Sequence, residues 1–339
     1  MVSPYIYPMG GGLGHHVYYL SLSLSRLGCE MQILSTRGYQ ELVKIQGIDN
    51  KTRLRLFTVF NSPIAPDLFA SIPRIDADII HAHGYFHYST IWASLVSASQ
   101  RRPIVITTHG SWVSSSRKRG LQHIYDKCAT RLFFSRTHKI LAHTFFEKQR
   151  LENAGFPSGK IEVIYNGVDC EKFNPKVQGK LFRARFNLPS SASIVLFVGR
   201  LTERKGCHNL VRALVGILEE VPGTLLFVAG SGPELPRLKN LVSKLNLTEN
   251  VFFLGEVSKD ELPLVYAASD VIVLPSISGE GLPLVLLEAM ASAKSMVATA
   301  VGGIPEIFSM TDYGVLIPPN NIKKLTEAII QQLTNKSLR

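Results

Sequence analysis

Two cations in a glycine-flanked segment could bind a phosphorylated ligand. Arg200 and Lys205 lie between Gly199 and Gly206, directly after an apolar run at residues 194–198 that predicts a β-strand. In a doubly wound sheet, ligands bind beyond the strand ends, and two cations in one loop can both reach one phosphate group. The segment therefore predicts a phosphate site, with a solvated charged loop as the alternative interpretation.

Two carboxylates further along the chain could bind hydroxyl groups. Glu280 and Glu288 have seven residues between them, and Pro283 suits the first turn of a helix that would contain Glu288. The neighbours of Glu288 are apolar, and a buried carboxylate without a partner costs free energy. We therefore expect a ligand with hydroxyl groups to satisfy it.

A run of glycines near the N-terminus is the third candidate. It comprises Gly10 to Gly12 and Gly14, between a predicted strand at residues 5–7 and a predicted helix. A glycine loop that opens a helix lets backbone amides approach an anion, and the helix dipole favours negative charge there. The acidic residue that would mark a dinucleotide site after the next strand is missing. A tight structural turn explains the glycines about equally well.

In this order, at the predicted strand ends of two sheets, the three motifs resemble retaining glycosyltransferase family 4, whose members have the two-domain GT-B fold. The resemblance covers nearly the whole chain, and the two C-terminal motifs are its most specific part. It implies an α/β fold of two doubly wound, Rossmann-like domains that face a central cleft. It also implies that the donor substrate is a nucleotide-diphosphate sugar and that no cofactor is needed.

The resemblance also implies a role for each matching residue. Arg200 and Lys205 would bind the diphosphate, Glu280 the donor sugar and Glu288 the nucleotide ribose. His109 would face the donor sugar and position it or relay a proton, whereas a hydrogen-bonded histidine at a strand end is the alternative. We predict Glu280, His109, Arg200 and Lys205 as catalytic residues, and as substrate-binding residues Gly11, Gly12, Gly14, His16, Gly199, Arg200, Lys205, Gly281, Leu282, Pro283, Leu284 and Glu288.

We predict that the reaction needs no metal ion. Two cations about 4 Å from the leaving diphosphate would each interact with it by about 4 kcal/mol at an effective dielectric constant of about 20. Asp76 and Asp78 match the Asp-x-Asp metal signature of the other glycosyltransferase fold, but Asp78 would open a buried strand rather than close one. Several histidines could suggest a metal cluster: His15, His16, His81, His83 and His87. Because no acids or cysteines lie near them in the sequence, we favour contact with sugar or plain packing for these side chains.

Short apolar, β-branched runs alternate with helical periodicity, which is typical of parallel sheets with crossover helices. The predicted strands are residues 5–7, 30–35, 53–60, 78–83, 104–109, 139–143 and 161–165, then 194–198, 224–229, 250–254, 271–275, 296–299 and 314–317. We predict an acceptor-side domain at residues 1–170, a basic linker at 171–190 and a nucleotide-sugar domain at 191–339. The C-terminal helices that cross back onto the first domain in family members are expected to be absent.

Positive charge is concentrated in the first half of the chain. The net charge is +11, of which residues 1–170 carry +8, residues 171–185 carry +4 and residues 186–339 carry −1. A basic stretch at residues 117–139, interleaved with apolar and aromatic residues, predicts peripheral binding to an anionic membrane that holds a lipid-linked acceptor; a solvated helix face is an equal alternative. Nucleic-acid binding is disfavoured because no recognised binding motif accompanies the charge.

The sequence shows neither a membrane span nor a disulfide framework. Its uncharged runs are shorter than the roughly 20 apolar residues that a bilayer requires, and residues 1–14 lack the features of a secretory leader. We expect a cytoplasmic protein that associates at most peripherally with the inner face of the cell membrane. The four cysteines are expected to be reduced and packed; they are Cys29, Cys128, Cys170 and Cys207.

The sequence thus predicts a retaining glycosyltransferase that moves a hexose from a UDP- or GDP-sugar to a glycan or lipid-linked acceptor. A sugar-nucleotide epimerase or phosphorylase on the same scaffold is one alternative. A catalytically silent subunit that binds nucleotide or glycan is another.

Overall fold

The computed structural model describes residues 1–5, 11–35, 48–52, 57–59, 62–64, 66–85, 87–110, 136–189 and 191–335. Two compact units divide the chain, Met1–Asn166 and Gly167–Arg339. Within the predicted linker, the helix Lys180–Arg185 buries Phe182 in the core of the second unit. The domain boundaries at residues 170 and 190 remain a prediction.

The first unit is an α/β unit. Its elements in chain order are β1 (Val2–Ser3), α1 (Gly11–Arg26), β2 (Met31–Ser35), β3 (Ile48–Thr52), β4 (Phe57–Val59), β5 (Ser62–Ile64), α2 (Pro66–Ser71), β6 (Ile80–His83), α3 (Tyr88–Gln100), β7 (Ile104–Thr107), β8 (Lys139–Ala142), α4 (Phe145–Asn153) and β9 (Ile161–Val163). Seven strands form a parallel sheet in the order β3-β2-β1-β6-β7-β8-β9, and β4 and β5 form a separate antiparallel ribbon.

Apolar side chains on both faces of this sheet form the core of the first unit. Val2 of β1 lies opposite Leu34 of β2 and Ala82 of β6, and all three are buried. The adjacent Ile33 faces the other side of β2, where it packs with Val17 of α1. Burial on both faces explains why inner strands such as β2 and β7 are largely apolar.

The first strand lies earlier in the chain than we predicted. It is Val2–Ser3 rather than residues 5–7, of which only Tyr5 is described. Val2 is buried and paired with strands on both sides, whereas Tyr5 is only partly buried and follows the strand. Tyr5 is therefore not part of the strand, and residues 6 and 7 lie outside the described residues.

The strand predicted at residues 53–60 is confirmed only in its described part, which does not join the seven-stranded sheet. Its described part, Phe57–Val59, pairs in the antiparallel ribbon, while residues 53–56 and 60 lie outside the described part of the chain. The edge of the sheet is formed instead by Ile48–Thr52, which pairs in parallel with β2. The polar sequence of this edge strand lacks the apolar alternation from which a strand is predicted.

The second unit repeats the doubly wound arrangement. Its elements are α5 (Lys180–Arg185), β10 (Ile194–Val198), α6 (Cys207–Glu220), β11 (Leu225–Ala229), α7 (Leu235–Lys244), β12 (Val251–Gly255), α8 (Leu262–Ala268), β13 (Val271–Leu274), α9 (Leu284–Ala291), β14 (Ser295–Thr299), α10 (Ile304–Phe308), β15 (Gly314–Ile317) and α11 (Ile322–Thr334). The six strands are parallel in the order β12-β11-β10-β13-β14-β15. Each strand lies within one residue of its predicted bounds, so this part of the prediction is confirmed.

Helices cover both faces of the second sheet. Val195 and Phe197 of β10 point to a layer formed by α6, α7 and α11, whereas Ile194 and Leu196 point to a layer formed by α5, α8, α9 and α10. All four side chains are fully buried. The sheet is thus a central, apolar platform that fixes the positions at which its carboxyl-end loops begin.

None of the described helices is long and apolar enough to span a lipid bilayer. The described cysteines are free thiols, and burial raises the pKa of Cys207 to about 12. Cys29 and Cys170 are exposed, so the prediction that the cysteines are packed is wrong for these two. Cys128 lies outside the described residues.

Candidate active site

The topological switch point of the second sheet lies between β10 and β13. These strands are neighbours, yet β11 and β12 extend the sheet on one side and β14 and β15 on the other. Connections diverge at such a point and leave a crevice beyond the carboxyl ends of the strands, where doubly wound folds bind ligands. The segments that follow the two strands, residues 199–206 and 275–283, carry the two C-terminal motifs.

An ion pair joins these two segments. Nζ of Lys205 donates to Oε1 of Glu280 over 2.6 Å, and the hydroxyl of Ser276 donates to the same oxygen over 2.6 Å. The side chains of Lys205 and Glu280 are only 15% and 6% exposed. Oε2 of Glu280 accepts no hydrogen bond from the described residues, which leaves that oxygen available to a ligand hydroxyl.

Backbone contacts hold the same loops at a fixed separation. The amide of Ile277 donates to the carbonyl of Arg204 over 2.7 Å. Gly206 adopts φ +68°, and a Cβ there would lie 2.0 Å from the carbonyl oxygen of Pro275. Gly302 adopts φ +59°, and a Cβ there would lie 1.8 Å from the carbonyl oxygen of Glu280. Only glycine permits these approaches, so the ion pair rests on a rigid backbone frame.

Arg200 provides a second cation near the end of β10. Its side chain is exposed and makes no hydrogen bond or ion pair within the described ranges of the chain. The backbone around it is fixed, because the amide of Gly199 donates to the carbonyl of Ala229 at the end of β11 over 2.9 Å, and the amide of Leu201 donates to that of Ser231 over 2.8 Å. The hydroxyl of Thr202 is buried and has no partner among the described residues, which is unusual for a buried polar group.

Glu288 lies inside α9 and is partly buried, as predicted. Its carboxylate already has one partner within the protein, because the hydroxyl of Tyr266 donates to its Oε2 over 2.7 Å; the expected contact with a ligand hydroxyl remains a prediction. Burial raises the pKa of Glu288 to about 7, and the hydrogen bond from Tyr266 opposes this shift. Oε1 accepts no hydrogen bond from the residues that the structure describes.

The residues that lead into α9 divide into backbone and side-chain roles. Leu282 is 6% exposed and packs in the apolar layer below the sheet, so only its backbone is suited to a ligand contact. Pro283 precedes the first helical residue, Leu284, and the first turn of a helix carries amides without intrahelical partners. Gly281 is partly buried.

In the first unit, histidines gather beyond the carboxyl ends of β6, β7 and β8. Nδ1 of His83 lies 3.0 Å from Nε2 of His109, and Nδ1 of His109 lies 3.4 Å from Nε2 of His143. The ring of His16, from α1, lies 4.7 Å from the ring of His109 and 4.9 Å from that of His143, measured between centroids. The sequence singled out His16 and His109 separately and did not identify His143.

Hydrogen-bond acceptors define which nitrogens of this cluster carry protons. Nδ1 of His143 lies 3.0 Å from the carbonyl oxygen of Ile164, which can only accept, so this nitrogen carries the proton and Nε2 is an acceptor. The proton on Nδ1 of His109 then points to His143. Burial, with smaller contributions from neighbouring histidines, lowers the pKa of His109 and of His83 well below the usual value. We conclude that these imidazoles are neutral near neutral pH.

The loop that carries His109 is held by a carboxylate that the sequence analysis missed. Oε1 of Glu147 accepts from the hydroxyl of Thr108 over 2.5 Å and from the amide of Gly110 over 2.6 Å, on either side of His109. Its Oε2 accepts from the amide of His143 over 2.8 Å. Because His109 has φ +58°, a conformation uncommon for residues other than glycine, these bonds stabilise a strained loop.

A local signal for Glu147 was present in the sequence. Thr144 precedes α4, and its hydroxyl accepts from the amide of Glu147 over 3.1 Å, three residues later. Thr-x-x-Glu is the pattern of a capping box. Here the glutamate side chain serves the neighbouring loop as well as the helix end.

The remaining predicted residues lie as follows. Gly11, Gly12 and Gly14 form the first turn of α1; the first two are exposed and the third is buried. Asp76 and Asp78 precede β6, at the opposite end of the strand from His83. Most of the basic stretch at residues 117–139 lies outside the described residues.

Comparison with known proteins agrees with the motifs. The sequence profile of Glycosyltransferase Family 4 matches residues 10–172, and that of Glycosyl transferases group 1 matches residues 180–339. An uncharacterized glycosyltransferase of Methanocaldococcus jannaschii is 30% identical over 97% of this chain and 87% of its own length. The chain belongs to glycosyltransferase family 4. It is therefore a glycosyltransferase, and the predicted enzyme class is confirmed.

Two further relatives of this glycosyltransferase are informative. A GDP-mannose-dependent alpha-(1-6)-phosphatidylinositol monomannoside mannosyltransferase of Mycobacterium tuberculosis is 30% identical over 56% of this chain and 51% of its own length. The crystal structure of Anabaena HepE in complex with UDP and glucose has a TM-score of 0.79, with 20% identity over 100% of this chain and 91% of HepE. This structural likeness concerns the fold, and the predicted GT-B fold class is confirmed.

Proposed function

We propose that this glycosyltransferase transfers a hexose from a nucleotide-diphosphate sugar with retention of anomeric configuration and without a metal ion. The observation that carries the proposal is the junction of Lys205 and Glu280 at the switch point of the second sheet. There, a cation suited to a diphosphate and a carboxylate suited to a sugar hydroxyl share one position beyond the strand ends.

The two carboxylates are each half engaged by the protein. Glu280 is anchored through Oε1 by Lys205 and Ser276, and Glu288 is anchored through Oε2 by Tyr266. In each case the other oxygen has no hydrogen bond to the described residues. An acid with one fixed oxygen and one unoccupied oxygen is oriented before the ligand arrives, which lowers the cost of binding hydroxyl groups. We assign Glu280 to the donor sugar and Glu288 to the ribose.

The two cations are suited to the leaving diphosphate in different ways. An ammonium group has three N–H donors, so Lys205 can keep its bond to Glu280 and still donate to a phosphate oxygen. Arg200 is exposed and offers a planar fork that can bind phosphate in a bidentate manner. Positive charge at these two positions would stabilise the negative charge that develops on the diphosphate as the anomeric bond breaks.

We assign His109 to the donor sugar, which it would position or for which it would relay a proton. Its neutral imidazole and its rigid loop support a positioning or relay role rather than that of a charged group. We assign no nucleophile to the chain. Retention would then follow from reaction on a single face of an oxocarbenium-like centre.

For the donor and acceptor we propose chemical classes. The names of the relatives, one GDP-mannose-dependent and one bound to UDP and glucose, support a nucleotide-diphosphate hexose as donor. The net charge of +8 on residues 1–170 supports an anionic or lipid-linked acceptor at a membrane surface. Sedimentation with anionic and neutral vesicles tests whether the protein associates with an anionic membrane surface. Equal partition into both kinds of vesicle would contradict that association.

The donor is tested by thermal shift with UDP-, GDP- and ADP-sugars, followed by product analysis. We expect one nucleotide class to raise the melting temperature of the wild type and to do so much less in Arg200→Ala. Lys324→Ala is the matched control, because Lys324 is an exposed cation on α11 that pairs with Glu327. Proton NMR of the product determines the anomeric configuration, and an inverted product would refute the retaining assignment.

Product analysis also distinguishes the transferase from the alternative activities. The enzyme is incubated with the donor alone, with donor and phosphate, and with donor and a glycan or lipid acceptor. Epimer formation from the donor alone, or phosphate-dependent release of the sugar, would replace the transferase proposal. Donor binding without any turnover across a broad acceptor panel would favour a silent binding subunit.

A further inference from the structure

We propose that His16, His109 and His143 form a binding site for Zn²⁺ in the first unit. One ring nitrogen from each of the three histidines lies within 4.8 Å of the other two. They come from three elements, α1 and the loops after β7 and β8, so their convergence results from the tertiary fold and not from a local motif.

The spacing of the nitrogens is close to that of a tetrahedral site. Zn–N bonds of about 2.0–2.1 Å place two ligand nitrogens of a tetrahedron about 3.4 Å apart. Nδ1 of His109 and Nε2 of His143 lie 3.4 Å apart. Because the widest separation in the set does not exceed 4.8 Å, a shift of His16 of about 1.5 Å would complete the three-nitrogen face.

Each of the three histidines already has its other nitrogen engaged. Nδ1 of His16 lies 2.9 Å from Oδ1 of Asn166, and Nδ1 of His143 lies 3.0 Å from the carbonyl oxygen of Ile164. Nε2 of His109 lies 3.0 Å from Nδ1 of His83. Metal-binding histidines characteristically have such partners, which fix the ring orientation and the nitrogen that faces the ion.

Proton positions in the cluster are compatible with an ion. When Nδ1 of His109 binds the metal, its proton moves to Nε2, which then donates to Nδ1 of His83. His83 in turn carries its proton on Nε2, a buried nitrogen without a partner among the described residues. The number of protons on the two rings is unchanged. The loops of His109 and His143 stay fixed because Glu147 bonds to both.

The donor set selects the kind of ion. Three imidazoles without a thiolate or a carboxylate suit Zn²⁺, whereas Mg²⁺ and Ca²⁺ prefer oxygen ligands. Three protein ligands also leave one coordination position open. Because His109 is assigned to the donor sugar, bound Zn²⁺ is expected to inhibit the transferase; this last step, unlike the binding itself, rests on the proposed function.

Metal binding is measured on full-length, untagged protein that has been stripped with a chelator. Titration calorimetry with ZnCl₂ should give one equivalent per chain, and CoCl₂ should give the visible absorption of four-coordinate Co²⁺. We expect His16→Ala and His143→Ala to weaken Zn²⁺ binding at least tenfold, and Asn166→Ala to weaken it about 10-fold through the lost ring partner. His208→Ala, in the second unit, is the control that should bind as the wild type does.

Circular dichroism of each variant shows whether it is folded. If His143→Ala does not fold, the test rests on His16→Ala and Asn166→Ala, because His16 and Asn166 are partly exposed. Unchanged affinity in His16→Ala and Asn166→Ala would overturn the proposal, as would equal weakening in His208→Ala. Inhibition of transferase activity is measured separately. Zinc binding at this site without inhibition would refute the role of His109 in the reaction and leave the metal site standing.

Discussion

Nζ of Lys205 lies 2.6 Å from Oε1 of Glu280, across the switch point between β10 and β13. The pair connects two segments that are 75 residues apart in the chain. It has a structural consequence in addition to its proposed catalytic one, because both charges are largely buried. Removing either partner leaves the other charge uncompensated in a poorly solvated place.

We predict that Glu280→Ala destabilises the protein. The ammonium of Lys205 would lose its counter-ion and the hydroxyl of Ser276 its acceptor, which should lower the free energy of unfolding by about 3 kcal/mol. Urea unfolding monitored by circular dichroism measures the change. Glu327→Ala, which breaks an exposed pair on α11, should change it by less than about 0.5 kcal/mol. Equal changes in the free energy of unfolding in the two variants would show that the buried pair stabilises the fold no more than the exposed pair does.

Arg200 should behave in the opposite way. Its exposed side chain makes no hydrogen bond or ion pair with the residues that the structure describes, so Arg200→Ala should unfold like the wild type. Turnover should nevertheless fall about 100-fold or more, because a cationic donor to the leaving diphosphate is lost. Steady-state rates with the donor found by thermal shift test this. Near-normal turnover in Arg200→Ala would remove the residue from the catalytic set.

Glu147 is predicted to position the loop of His109. In Glu147→Gln the side chain keeps one acceptor oxygen, so at least one of the amides of Gly110 and His143 would face an NH₂ group. We expect the free energy of unfolding to fall by about 2 kcal/mol. Turnover should fall while the Km for the donor changes less, since Glu147 acts through the orientation of His109.

Glu152→Gln is the matched control for this variant, because Glu152 lies on the same helix and its carboxylate accepts a hydrogen bond from Ser158 near the surface. It should alter neither the stability nor the turnover. Either of two outcomes would contradict the positioning role: wild-type turnover in Glu147→Gln, or an equal loss of turnover in Glu152→Gln.

Glu288 should make stability depend on pH. Its pKa of about 7 in the folded protein exceeds the reference value of 4.5, so the folded chain binds more protons than the unfolded chain between these values. The stability that this group contributes is therefore present at low pH and is lost as pH rises from about 4.5 to 7, by about 3 kcal/mol in total. Glu288→Gln should lack this loss and gain on the wild type between pH 5 and 8.

Unfolding by urea at several pH values measures the difference between Glu288→Gln and the wild type. Tyr266→Phe refines the test. In the wild type the hydroxyl of Tyr266 lowers the pKa of Glu288, so its removal should raise that pKa further. In that variant the pH-dependent loss should extend above pH 7. A constant difference between Glu288→Gln and the wild type across this range would contradict the burial of the carboxylate.

The sequence predicts the second unit more completely than the first. Its strands, such as β10, are buried on both faces and appear as uninterrupted apolar runs with clear bounds. The edge strand β3 has the sequence Ile-Asp-Asn-Lys-Thr, and its polar residues give no such signal. The order of strands follows from the βαβ pattern, but the identity of a polar edge strand does not.

Contacts between distant polar residues limit the prediction of the site. Lys205 and Glu280 were each identified from their motifs, yet nothing in the sequence indicates that they pair. Tyr266 lies on a different helix from Glu288, so the partner of that carboxylate depends on how two helices pack. The histidine cluster similarly depends on three elements meeting at one edge of a sheet. Glu147 is different, because the local capping pattern Thr-x-x-Glu is visible in the sequence even though we did not identify the residue from it.

The two glycines that frame the ion pair have a consequence for how this enzyme tolerates mutation. At Gly206 and Gly302 any side chain would overlap a backbone carbonyl, at 2.0 and 1.8 Å respectively, so no substitution can be accommodated by a change of rotamer. In a library of single variants scored separately for cellular abundance and for activity, we expect positions 206 and 302 to be intolerant in both scores. Position 200 should be intolerant only in the second, which would distinguish residues that build the scaffold from those that serve the reaction.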